Sequence, residues 1–378
     1  MIYFDNAATS YPKPVEVIKT VSSAMSLYGA NPGRSGHDLS VSSANQVYLC
    51  REALNRFFNG FGAEYVSFFP NCTYALNVAI KGIISKGDHI IISSLEHNSV
   101  LRPVHRLKED EVAEYSVFNV GRTIDETVEN CKKAFKTNTK LCVVTAVSNV
   151  FGNVLPLKEL SEIAHENGAY FFVDGAQGAG VIGIDMKKLG IDCLCVPGHK
   201  GLLGPMGTGA LLHKSLVFST IFEGGTGSAS FDFSQPEAYP ERLESGTLNV
   251  PGICGMRKGI EIVERIGVNE IFAKEKNISQ TIFNGLKRMP GVTLYQDEFE
   301  SSRYAPLVSF NVKNLHSEQV STYLNTNGIA VRGGYHCSPL AHISNHTERQ
   351  GAVRISPSIF TGEKDIKILL NLVRKIAI

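Results

Sequence analysis

The sequence predicts an α/β fold: a large, mostly parallel sheet covered by helices, joined to a smaller α+β domain at the C-terminal end. Three observations predict it. From Val66 onward short apolar runs alternate with amphipathic segments, and the runs are dense enough to be buried on both faces. Helical spacing fills the gaps between runs, so neighbouring strands are expected to lie parallel. Beyond Ile266 the cadence changes to short strands set among helices, the texture of a separate α+β unit.

In chain order, Tyr3 to Thr9 reads as a short extended entry, and Pro12 and Pro14 mark a turn before helical spacing takes over at Val15. Asn31 to His37 is a polar loop rich in Gly and Pro. Ala44, Val47, Tyr48, Arg51, Leu54 and Phe58 then share one face of a core-facing helix. Candidate strands are Val66 to Phe69, His89 to Ser93, Leu141 to Val147, Tyr170 to Val173, Asp192 to Val196 and Gly209 to Leu212. Between two of them Leu157, Leu160, Ile163 and Ala164 repeat at helical spacing, with Pro156 at the start and Gly168 as the stop. A long helix runs from about Ile253 to Ile266. Helices near 269–289, 317–327 and 363–376 then alternate with strands near 292–296, 306–312, 329–332 and 352–356.

Composition narrows the function classes. The chain has 378 residues, is 43% hydrophobic and carries 37 basic against 36 acidic side chains. Such a balance gives no polyelectrolyte footprint for nucleic acid or anionic lipid. The N-terminus lacks a basic, apolar leader, and no apolar run approaches bilayer length, so a cytoplasmic protein is expected. Eight scattered cysteines without a C-x-x-C pair read as reduced thiols. Cys142, Cys193 and Cys195 lie inside apolar runs, as small buried hydrophobes do.

In a parallel sheet, ligands bind beyond the carboxyl ends of the strands. The residues there are Asn71-Cys72-Thr73, Glu96-His97-Asn98, Ser148-Asn149, Asp174-Gly175-Ala176-Gln177 and Gly198-His199-Lys200. All five ends carry chemically capable side chains. A lysine at the end of a buried strand, flanked by glycines, sits where its amine loses water and its proton, as a Schiff-base lysine must. Asp174 at a neighbouring end is the carboxylate that would keep a pyridine nitrogen protonated, so Lys200 and Asp174 together suit pyridoxal phosphate. A phosphate would rest on the N-terminus of the helix starting near Thr73, leaving His97 to stack on the ring. Each residue alone also has an ordinary reading: Asp174 or Thr73 as a helix cap, His97 as a core histidine, Lys200 as a turn lysine.

Phe4 to Thr9, Glu96 to Asn98, Asp174 to Gln177, Gly198 to Lys200, Glu244 to Thr247, Arg332 to Cys337 and Arg354 to Ser356 resemble, in order and over nearly the whole chain, the signature segments of the cysteine desulfurases. These are fold-type-I pyridoxal phosphate enzymes of the class V aminotransferase group. The cysteine segment resembles the branch with an Arg-x-Gly-His-His-Cys loop. The resemblance implies a seven-stranded-type sheet, with residues 1–20 packing on a small domain, 21–250 forming the cofactor domain and 251–378 carrying the cysteine loop. It implies Lys200 as Schiff-base lysine and Cα proton carrier, Asp174 as pyridinium partner, Gln177 as donor to the ring oxygen and His97 as the stacking ring. Cys72, Thr73 and His199 would lie about the cofactor, with Thr247 reaching the phosphate of the neighbouring subunit of a homodimer. Asn149, Arg332 and Arg354 would hold the substrate carboxylate, and Cys337 would be the nucleophile that accepts sulfur from L-cysteine and passes it to an acceptor protein.

Two positions depart from the family pattern. Pro197 stands where many members offer a hydroxyl to the phosphate, and Tyr335 replaces the first histidine of His-His-Cys. His336 beside Cys337 is a candidate for lowering the thiol pKa. The spacing of Cys337, His342 and His346 invites a zinc reading, but no suitable fourth ligand lies near in sequence, so no metal is expected. A selenocysteine lyase, a class V aminotransferase or epimerase, and a low-turnover sulfur-relay docking component remain alternatives.

Overall fold

The computed structural model describes residues 1–33, 36–297 and 303–377; Arg34 and Ser35 of the expected polar loop lie outside them. The chain enters through β1 (Ile2–Tyr3), α1 (Val15–Leu27) and α2 (Asp38–Phe57). There follow β2 (Val66–Phe69), α3 (Cys72–Ile83), β3 (Asp88–Ser93), α4 (Asn98–Glu109), β4 (Ala113–Phe118) and α5 (Ile124–Ala134). Next come β5 (Thr139–Thr145), α6 (Leu157–Glu166), β6 (Tyr170–Asp174), β7 (Cys193–Pro197), β8 (Gly209–His213) and α7 (Val250–Ile266). The C-terminal part holds α8 (Val268–Lys287), β9 (Val292–Leu294), β10 (Val308–Val312), α9 (Ser317–Thr326), β11 (Ile329–Ala330), α10 (Pro339–Ser344), β12 (Val353–Ile355) and α11 (Glu363–Ile376).

The large sheet has seven strands in the order β2-β8-β7-β6-β5-β3-β4, and only β8 runs against the rest. Its strands are apolar at successive positions because each residue faces one of two cores. Leu141, Val143, Phe172, Cys193 and Cys195 pack toward α3 and α4, whereas Cys142, Val144, Phe171, Val173 and Leu194 pack toward α2, α6 and α7. The period-2 geometry of a strand thus places two cores on opposite faces of one sheet. A third core joins Phe310, Val353, Ile282, Leu369 and Val373 of the smaller domain, whose sheet runs β12-β10-β9 and is antiparallel. Phe4 from the N-terminal segment is buried in that third core, and β1 pairs in parallel with β11. No described helix is long and apolar enough to cross a membrane.

Three local expectations change. Strand β4 was not among the candidates: it is an edge strand with Glu114 and Val117 exposed, so it carries no apolar run. Helix α10 is one short turn-and-a-half after the cysteine loop, too brief to show a period. Tyr48 is exposed; the buried face of α2 is Ser43, Val47, Cys50, Arg51 and Leu54.

Arg51 is buried because it has a task. Its guanidinium makes a two-pronged contact with Glu244 at 2.7 and 2.6 Å, and Glu244 also accepts from Phe68 N at 2.6 Å. The pair ties α2, the outer strand β2 and the segment before α7 together. Glu244→Ala leaves a buried guanidinium unpaired and is expected to destabilise the fold by about 3 to 5 kcal/mol. Replacing both partners by apolar residues should recover most of that loss; urea unfolding of the single and double variants checks both.

Candidate active site

Strand order brings the polar ends together. β2, β7, β6, β5 and β3 all run in one sense, so their carboxyl ends open on one edge of the sheet, as in other open parallel sheets. There a cleft is lined by Cys72, Thr73, His97, Asn149, Asp174, Gln177, His199 and Lys200, eight of the residues singled out from sequence.

One wall is made of helix N-termini. Asn71 caps α3, its side chain accepting from Tyr74 N at 3.1 Å, and Thr73 Oγ1 meets Ser99 Oγ at 2.8 Å. His97 caps α4: Nδ1 accepts from Ser99 N at 3.1 Å and lies 2.9 Å from Ser99 Oγ. An accepting Nδ1 requires a neutral ring. Burial pushes the His97 pKa down to about 4, with the positive charges of Lys200 and Arg332 adding to the effect. Ser99, two residues after His97, was not singled out from sequence, yet it links Thr73 to His97.

The floor is Asp174. It is buried, and Oδ1 accepts from Ala176 N at 2.9 Å and from Cys72 Sγ at 3.7 Å. Burial raises its pKa, opposed by the Ala176 N–H and by Lys200. Desolvation lowers the pKa of Lys200, opposed by Asp174 and Cys72 and helped by Arg354 and Arg332. No ion pair closes between Lys200 and any carboxylate among the described residues. The lysine end is therefore primed to become a neutral amine. Gln177 faces the cleft and donates Nε2 to Ala7 O at 2.8 Å, and His199 has its Nδ1 buried without a hydrogen-bond partner.

Facing them is the cysteine loop. His336 and Cys337 both adopt left-handed backbone, with φ of 50° and 57°. The loop is held at its carbonyls: Asn149 Nδ2 donates to His336 O at 2.7 Å and Asn98 N to Cys337 O at 2.7 Å. Ser338 Oγ donates to Asn149 Oδ1 at 2.7 Å, so both ends of the Asn149 amide are engaged by this loop. Cys337 is the one exposed cysteine among the described residues. The expectation that His336 assists the thiol is corrected. Its ring is buried, bonded through Nε2 to Ala352 O at 2.9 Å, and held well below its ordinary pKa by burial and Arg354, so it supplies no positive charge. Tyr335 instead packs edge-on against His342. His342 is buried with Nδ1 on Thr347 Oγ1 at 2.7 Å, and no group of three or more metal-binding side chains exists among the described residues.

Arg354 is fully buried, with one nitrogen on Asp5 Oδ1 and another on Asn149 O, both at 2.7 Å, while Nε has no partner. Arg332 pairs with Arg354 through backbone and meets no carboxylate at ion-pair distance among the described residues. Thr247 does not join the others. It lines a separate groove with Tyr74, Gly209 and Phe222.

The class-V aminotransferase family model matches residues 2–369. A probable cysteine desulfurase of Methanothermobacter thermautotrophicus is 32% identical over 100% of this chain and 94% of its own length. One from Halalkalibacterium halodurans is 31% identical over 99% and 93%. Among solved structures, the apo cysteine desulfurase of Thermococcus onnurineus superposes with a TM-score of 0.91 at 30% identity, covering 100% of this chain and 94% of that one.

His97 and His199 each have a folded-state pKa near 4 against an ordinary 6.5. Between those values the unfolded chain binds more protons, so stability falls as pH drops through that window and is fully present above it. Urea midpoints measured across the window should decline, and His199→Gln should make the decline shallower.

Proposed function

The chain belongs to the class-V aminotransferase family, and from that premise we propose that it is a pyridoxal-phosphate-dependent cysteine desulfurase, converting L-cysteine to L-alanine and keeping the sulfur on Cys337 as a persulfide. The observation that carries this reading is an exposed thiol on a left-handed loop whose carbonyls are tied directly to the start of α4 and to Asn149, a residue that lines the Lys200 cleft. Transamination and epimerisation need no thiol in that place.

The donor set fits the cofactor. A buried carboxylate and a half-buried lysine lie in one cleft, and two independent features suit a phosphate: the N-terminus of α3 with the Thr73 hydroxyl, and the orphaned Nδ1 of His199. Pro197 contributes no hydroxyl there. When bound, pyridoxal phosphate supplies an electron-accepting ring conjugated to the substrate Cα. Asp174 would keep the ring nitrogen protonated and His97 would lie on the ring face. Arg354, with its spare Nε, and Arg332 would hold the substrate carboxylate.

Lys200, neutral once displaced, takes the Cα proton. The Cys337 thiolate attacks the substrate sulfur, forming an S–S bond as the Cβ–S bond breaks; Cβ takes up a proton, and Lys200 returns its proton to Cα to give alanine. The persulfide then awaits a sulfur-acceptor protein. Thr247, which lines a separate groove with Tyr74 and Gly209, would serve the phosphate of the partner subunit in a homodimer.

Cys337→Ala is expected to lower sulfide and alanine formation from cysteine by about 10³-fold or more while the visible absorbance of the lysine-bound cofactor persists. Full activity in that variant would sink the desulfurase reading. Lys200→Ala should lose the visible band. Alanine measured from cysteine and from selenocysteine in parallel separates desulfurase from selenocysteine lyase.

A further inference from the structure

The peptide carbonyl between His199 and Lys200 lies beyond the end of β7 at Pro197, where no strand offers it a donor. Its neighbours are fixed from within: Gly198 N donates to Thr208 O at 3.0 Å, Gly204 N to Gly198 O at 2.7 Å, and Leu203 N to Lys200 O at 2.8 Å. The His199 carbonyl is satisfied from the N-terminal segment instead. It accepts from Ser10 N at 3.1 Å, Ser10 Oγ at 3.2 Å, Thr9 Oγ1 at 3.0 Å and Lys13 Nζ at 2.7 Å.

Four donors on one oxygen is twice its lone-pair count, and the shortest is the charged one. Lys13 also donates to Ser10 Oγ at 2.7 Å, which closes a ring of bonds around the carbonyl, and it meets no carboxylate at ion-pair distance among the described residues. A half-buried ammonium directed at a backbone carbonyl, with no counter-charge, is not a surface ion pair. Its desolvation, which lowers the pKa to about 8, is tolerated for what it holds.

We propose that Lys13 is a positioning residue for Lys200: its ammonium, with Thr9 and Ser10, fixes the plane of the His199–Lys200 peptide and so the direction in which the Lys200 side chain enters the cleft. Lys13 is not among the residues that line the cleft. It acts on the chemistry only through the backbone of the residue that does. The inference rests on the reading of Lys200 given above, and two of its readouts do not need cysteine turnover.

The variants are Lys13→Met, which keeps length and removes the donor, and Lys13→Arg, which keeps a charged donor. With Lys13→Met, kcat for alanine formation should fall roughly ten-fold with KM for cysteine unchanged, because the lysine is misaimed and the carboxylate grip is intact. Hydroxylamine should strip the lysine-bound cofactor, followed by its visible absorbance, about ten-fold faster, since a loosely aimed amine recloses more slowly. In the cofactor-free protein, hydrogen exchange at the Leu203 and Gly204 amides should quicken. Lys13→Arg should restore most of kcat and of the stripping rate. The proposal is overturned if stripping and exchange in Lys13→Met match the parent. It is also overturned if Lys13→Arg fails to rescue while both variants lose thermal stability equally, the pattern of a structural lysine. Loss of cysteine turnover in the parent protein with the stripping difference intact would refute the desulfurase reading and leave Lys13 in its role.

Discussion

The structure depends on keeping a carboxylate and an amine out of water in the same cleft without letting them neutralise each other in a closed ion pair. Bringing such groups into a low-dielectric interior costs several kcal/mol per ion, and attraction alone recovers it poorly. The fold offsets the cost with backbone: Asp174 receives an N–H from Ala176 and the weak donor of Cys72, so its charge is held in place. Lys200 receives no such support at its amine, and burial lowers its pKa. The asymmetry matters chemically. A fixed carboxylate and an amine ready to lose its proton are two different tools, and they differ because one accepts the Ala176 N–H and the Cys72 thiol while burial lowers the pKa of the other.

The cysteine loop faces the opposite problem, since it must stay rigid while presenting a thiol to solvent. Two consecutive left-handed residues without glycine cost of order 1 to 3 kcal/mol each, and such strain persists only when neighbours over-determine it. Here the neighbours are Asn149, Ser338 and the backbone of Asn98, which bind the loop from below. His336 turns inward onto Ala352, and the same twist that buries its ring leaves Cys337 outside. The loop thus trades a basic neighbour for a fixed position.

How much of this was legible follows from physical range. Six of the seven strands of the large sheet announce themselves because burial on both faces demands apolar residues at every position; β4, exposed at the sheet edge, makes no such demand. The strand ends were readable for the same reason, since a polar residue directly after a buried run must lie on the rim. Orientation was not readable. Whether His336 faces Cys337 depends on the sign of two φ angles, and whether the Asn149 amide is free depends on a loop nearly two hundred residues away. The Thr73–Ser99–His97 link likewise joins two helix caps from different strand ends, a contact with no local period.

The N-terminal segment shows how far such long-range constraints reach. Asp5 neutralises buried Arg354, Asn6 and Ala7 bond Ser356, Ala7 O accepts from Gln177, and Thr9, Ser10 and Lys13 hold the His199 carbonyl. Six residues of the stretch from Asp5 to Lys13 therefore reach the group expected to grip substrate, a cofactor-facing amide and the peptide of the reacting lysine. Phe4 anchors the same stretch in the core of the smaller domain. A shift of that domain against the large sheet would be felt at Arg354 and at Lys200 together, because one short extended chain is bonded to both. Extended backbone suits this purpose better than a helix. Its N–H and C=O groups are not consumed internally, so each residue has bonds to give away to a different part of the site.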